Sequence, residues 1–213
     1  MGVRCVRPSG VSEIGLFPLP LVLLPTERIP LHIFEERYRE LIGECLDSGG
    51  DFGLVYADGD GVREVGTRAR VTEVLARLPD GRMDILVEGG GRFRLLELTA
   101  GRSFHTGVVA PVEDADDPAD RESVERALGL FDRLRELTRS DVDVPEPDVS
   151  QLSYVLAARV EFAPDDKLEL LNDVSERSRV TRLCDLLERA VETAQHVRQA
   201  VERAAANGKV HLG

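Results

Sequence analysis

Residues 30–42, PLHIFEERYRELI, hold the densest group of potentially reactive side chains in the chain. A histidine with a carboxylate in reach can pass protons near neutral pH, so His32 with Glu35 or Glu36 is the first candidate for an acid–base pair. The adjacent acids Glu35/Glu36 and Asp165/Asp166 do not make a shared-proton dyad, because neighbouring positions on a helix splay apart. The four histidines, His32, His105, His196 and His211, are scattered and show no metal-ligand spacing. Lys167 and Lys209 are the only lysines, and no motif sets a serine beside either. The chain contains no G-x-x-x-x-G-K-[ST], G-x-S-x-G or H-E-x-x-H. Gly89, Gly90 and Gly91 form a glycine run that reads as a turn or bulge rather than a phosphate cradle. No catalytic residue, metal site or cofactor is expected.

The elements around residues 30–42 offer another account of them. Ile33, Phe34, Arg37, Tyr38, Leu41, Ile42, Cys45 and Leu46 recur at helical spacing, while Glu36, Glu40 and Glu44 ride the opposite face. Pro30 and Leu31 precede this helix and Gly49–Gly50 ends it. The stretch therefore reads as one amphipathic helix with a solvated acidic face, its aromatics anchored to a sheet.

From about residue 14 to residue 110 the chain consists of short apolar segments punctuated by turn signals. PDG at 79–81 lies between ARVTEVLARL and RMDILVEG, a hairpin signal. This spacing predicts a small antiparallel, partly closed barrel rather than a parallel sheet. The acidic EDADDPAD at 113–120 marks a boundary, with Asp117–Pro118 as the expected helix start. Beyond it the period lengthens to about 3.6. Helical stripes follow at Val124, Ala127, Leu128, Phe131 and Leu134, then at Leu152, Val155, Leu156 and Val160, with a short helix at DKLELLN. A final helix is expected from near Ser175 to Asn207–Gly208. It carries a heptad seam of Leu183, Leu187, Ala190, Ala194, Val197, Val201 and Ala204. The predicted organisation is a leader at 1–13, a β subdomain at 14–112, a connector at 113–122, a helical subdomain at 123–208 and a tail at 209–213.

Length and composition suit this plan. The 213 residues are 42% apolar and 31% charged, enough to bury a core, with no tryptophan and few aromatics. A formal charge of −12 opposes non-specific nucleic-acid binding, which needs a cationic face. The cysteines, Cys5, Cys45 and Cys184, are odd in number and far apart, so no disulfide framework is expected. Signal-peptide and membrane-span patterns are lacking, and the chain reads as cytoplasmic.

The ordered motifs LFPLPLVLLPTERIPLHIFEERYRELI, DFGLV, VGTRARV, LPDGRMDILVEGGGRFRLLEL, LSYVLAARV and DKLELLNDVSERSRVTRLCDLLERA resemble the Lon protease N-terminal, substrate-binding domain family over roughly residues 14–193. The resemblance implies an α+β fold: a PUA-like pseudo-barrel with one early helix, then a helical subdomain ending in a long helix. Lon proteases continue into ATPase and Ser-Lys protease domains. This chain ends before either could begin, so it is expected to be a standalone bacterial member without catalysis. The implied function is binding of peptides or exposed segments of client proteins, in association with a separate protease or chaperone. His32, Arg37, Tyr38, Arg92 and Phe93 lie on the family-like motifs and are the candidate peptide-binding residues. Two alternatives remain: a protein-interaction or homo-oligomerisation adaptor using the C-terminal helix, and a PUA-like RNA or small-ligand binder.

Overall fold

The computed structural model describes residues 10–207, with side chains through Arg203. Most of the leader, with Cys5, lies outside the described residues, as do the Ala204 side chain and the tail bearing Lys209 and His211. The described chain forms two compact units. One comprises residues up to Asp114 together with Ala163–Val174; the other comprises Ala115–Phe162 and the chain from Ser175 onward.

The first unit is built on six strands: β1 (Ser12–Leu19), β2 (Arg28–Ile33), β3 (Phe52–Asp58), β4 (Gly61–Arg77), β5 (Met83–Thr99) and β6 (His105–Pro111). Their order is β2-β5-β4-β3-β1-β6, and a further β5–β6 ladder closes the pseudo-barrel and leaves β2 at the edge. The expected hairpin joins β4 to β5 at Leu78–Arg82. The β1–β3 ladder is parallel although the others are antiparallel. A parallel pair needs a long crossover, which β2 and the first helix supply. The glycine run does not end a strand. β5 passes through it, and the β4–β5 register slips between Thr67↔Arg92 and Ala69↔Gly89, placing an extra residue on β5.

Helix α1 (Glu36–Ser48) stops at Gly49, which adopts the left-handed conformation and donates its N–H to the Cys45 carbonyl. Tyr38, Leu41, Ile42 and Cys45 are buried in a cluster with Phe17, Leu31, Ile33, Phe52, Ile85 and Val87. The helix begins later than its apolar spacing suggests, because Ile33 belongs to β2. Phe34, between strand and helix, is 61% exposed rather than anchored to the sheet.

Helix α2 (Arg121–Thr138) starts at Asp120, whose carboxylate accepts the Ser123 N–H at 2.9 Å. The expected cap, Asp117, is engaged elsewhere: it accepts Ser175 Oγ at 2.6 Å and Arg177 Nε at 2.9 Å. Helix α3 (Leu152–Ala157) is short, and α4 (Pro164–Asn172) opens with proline at its start and acids in its first turn. Helix α5 (Glu176–Asn207) is the long terminal helix, packed against α2 and α3. In this second unit Arg179 is fully buried beneath Tyr154, and its Nη2 donates to Glu176 Oε2 at 2.6 Å.

Candidate functional site

β2 and the turn into α1 bring part of the candidate set together. Of the six cross-strand pairs between β2 and β5, three share one face: Arg28↔Glu88, Pro30↔Leu86 and His32↔Asp84. The side chains of all three β2 residues lie on the exposed face, while Leu31 and Ile33 point into the core. Arg28 Nε donates to Glu88 Oε2 at 2.5 Å, and His32 Nδ1 donates to Asp84 Oδ1 at 2.6 Å. The apolar Pro30–Leu86 pair thus lies between two closed polar pairs. Beyond them the rings of His32 and Phe34 stack with centroids 5.9 Å apart.

Arg37 stands one turn into the helix. Its Nε donates to Glu35 Oε2 at 2.9 Å, and its guanidinium lies 4.5 Å from the Tyr38 ring centroid. Tyr38 itself is buried and stacks on Phe17 at 4.1 Å. Burial pushes its phenol pKa up, with Arg37 opposing. His32, Phe34 and Arg37 therefore offer polar and aromatic surface to solvent, with Tyr38 as the layer beneath.

Arg92 and Phe93 lie further along β5, and both are buried. The Phe93 ring fills the barrel beside Gly53 and Gly66, where an added Cβ would collide with it. The Arg92 side chain is 2% exposed. Its Nη1 donates to the carbonyls of Leu171 at 2.8 Å and Asp173 at 2.7 Å, and its Nη2 pairs with Asp114. These carbonyls lie at the C-terminal end of α4, where intrahelical donors run out. Arg92 thus holds α4 on the barrel, together with Lys167, which pairs with Glu27. Glu27 in turn accepts the Leu24 N–H at 2.8 Å.

Phe34 is the residue that sequence reasoning placed wrongly. Its position on the helical stripe suggested burial, and only the strand-to-helix break exposes it. A signal was available in Pro30, which favours an edge strand over the lead-in to a helix. The distal half of α5 shows a similar break. Leu183 and Leu187 are buried, whereas Val197 and Val201 on the same seam are 58% and 63% exposed.

Acid–base chemistry finds little support in this geometry. His32 has its carboxylate partner in Asp84 rather than Glu35 or Glu36, and both lie on an open strand face. Among the described residues, no group of three or more His, Cys, Asp or Glu could hold a metal ion, and no helix is long and apolar enough to cross a membrane. The exposed features of this face are a strand edge, an aromatic ring and paired charges.

An α+β pseudo-barrel followed by helices ending in a long one defines the class. Residues 13–189 match the family model described as the ATP-dependent protease La (LON) substrate-binding domain, and the chain belongs to that family. It is 25% identical to Lon protease of Brucella melitensis biotype 1 over 95% of this chain and 28% of that protein. Lon protease of Rhizobium meliloti is 25% identical over 92% of this chain and 27% of its own length. The chain thus spans a little over a quarter of these curated relatives. The crystal structure of a Lon N-terminal domain protein from Xanthomonas campestris superposes with a TM-score of 0.63 at 27% identity, covering 81% of this chain and 96% of that one. The N-terminal domain of Mycobacterium avium complex Lon protease shares the fold, with a TM-score of 0.65 at 19% identity and coverage of 83% and 98%.

Proposed function

We propose that this protein binds exposed segments of other polypeptides, without catalysing a reaction on them, through the face formed by β2 and the start of α1. The observation that carries the reading is Phe34, a large apolar side chain 61% exposed beside an edge strand in a substrate-binding family. His32 and Arg37 flank the bound segment, and Tyr38 supports Arg37 from below. Arg92 and Phe93 act at a distance by keeping the barrel closed and α4 in place. A separate protease or chaperone would receive what is bound. The test is fluorescence anisotropy with reduced, carboxymethylated lactalbumin as an unfolded probe. The wild-type protein should bind saturably and Phe34→Asp should weaken binding at unchanged thermal stability. No binding by the wild type would remove the proposal.

A second reading is favoured by Val197 and Val201, the exposed continuation of the α5 seam. Here the distal helix pairs with a second copy or another helical partner. Sedimentation of the wild type against Val197→Glu/Val201→Glu tests it: equal mass at every concentration argues that the helix does not self-associate.

A further inference from the structure

The outer edge of β2 has a hydrogen-bonding pattern that can be assigned residue by residue. The Gly89 N–H donates to the Glu27 carbonyl at 2.9 Å, one step before the Arg28↔Glu88 pair. In an antiparallel ladder, residues alternate between bonding to the partner strand and turning their main-chain groups away from it. Ile29, Leu31 and Ile33 therefore bond to β5, while Arg28, Pro30 and His32 direct theirs to the free edge. Pro30, which has no N–H, occupies an outward position, where its ring costs the sheet nothing. What remains is the N–H and C=O of Arg28, the C=O of Pro30, and the N–H and C=O of His32. Among the described residues β5 is the only strand paired with β2.

We infer that this edge captures an extended, charge-poor segment of another polypeptide by strand addition, an inference that rests on the binding function proposed above. An unfolded chain has free main-chain donors and acceptors that match those of Arg28, Pro30 and His32. The side chains beside it are paired in place: Arg28 with Glu88 and Arg37 with Glu35 as ion pairs, and His32 with Asp84 through a hydrogen bond. A charged client would have to break these pairs, whereas an apolar one can lie against Pro30, Leu86 and Phe34 without doing so. Pro30 leaves one gap in the ladder. That gap weakens an edge which, if complete, would pair with other copies of itself. It makes capture short-range and reversible.

The test uses the full chain, the lactalbumin probe, and a short capped peptide alternating valine with threonine. His32→Pro removes an outward N–H without touching the β2–β5 ladder and is expected to weaken both interactions about tenfold, the cost of one lost bond with its partner left unpaired. His32→Ala keeps the N–H and should lose clearly less affinity than His32→Pro, the difference between the two reporting the main-chain bond. Pro30→Thr restores the missing donor and should tighten binding, a gain that misfolding cannot produce. N-methylation of alternate peptide residues should abolish binding while leaving the side chains intact. If the wild type binds lactalbumin but neither N-methylation nor these strand variants change affinity, strand addition is wrong and the broader binding function stands. Equal losses in His32→Ala and His32→Pro would also overturn it, by assigning the effect to the imidazole. If the wild type binds no unfolded chain, both proposals fall.

Discussion

Gly89 and Gly91 stand two residues apart on β5, yet they meet different surroundings. A Cβ on Gly89 would run into the Leu24 backbone carbonyl, part of a turn in which Thr26 donates its N–H to the Gly89 carbonyl at 2.8 Å. A Cβ on Gly91 would meet nothing within 4 Å. Backbone cannot swing aside as a side chain can, so Gly89→Ala should lower stability by about 1–3 kcal/mol. Gly91→Ala should stay within about 0.5 kcal/mol, and urea unfolding of the two variants measures the contrast. The thiols make a second case. Burial, followed by the nearby carboxylates of Glu44 and Asp51, pushes Cys45 up to about 11, and burial also raises Cys184. The folded state therefore favours the protonated Cys45 thiol. That contribution is fully present below its ordinary value of 9.0 and is lost as pH rises through about 11. At pH 8 iodoacetamide should modify Cys45 and Cys184 only after unfolding, as peptide mass spectrometry would report.

At the scale of elements, α4 shows how a distant segment completes a sheet unit. Its last carbonyls are taken by Arg92, which is buried at 2% exposure. Arg92→Met would leave those carbonyls and Asp114 without the guanidinium in a buried setting. A loss of about 3–5 kcal/mol is expected from removing one partner of a buried pair, measured by denaturant unfolding. α1 and the hairpin were legible in the sequence because their signals are local: helical spacing ended by Gly49, and PDG between two alternating strands. The starts of α1 and α2 were not. Ile33 pairs with Met83, and Asp117 bonds Ser175 and Arg177, both partners distant in sequence. A local capping or periodicity rule contains no information about such partners.

At the scale of the whole molecule, the chain passes between its two units three times, because Ala163–Val174 belongs with the strands. A fragment comprising residues 1–114 would contain all the described strands but lack Lys167 for Glu27 and the α4 carbonyls for Arg92. It should show poor amide dispersion in a heteronuclear NMR spectrum. Joining residues 163–174 to that fragment through a short flexible linker should restore a dispersed spectrum. If the bare fragment already folds with full stability, α4 is an accessory rather than a part of the unit.

Hydrophobic period and turn chemistry determined the β-then-α order and the long final helix, since each depends on residues close in sequence, while the ordered motifs carried the resemblance to the family. The same local information drew Phe34 into a buried stripe and grouped Arg92 and Phe93 with His32. Only the tertiary structure separated them. Pairing of β2 with β5 ends the strand before Phe34 and leaves its ring in solvent, while closure of the barrel and docking of α4 bury Phe93 and Arg92. Which side chains face water is decided by contacts between residues far apart in the chain. For that reason the fold could be read from motifs, but the face proposed for binding required the assembled sheet.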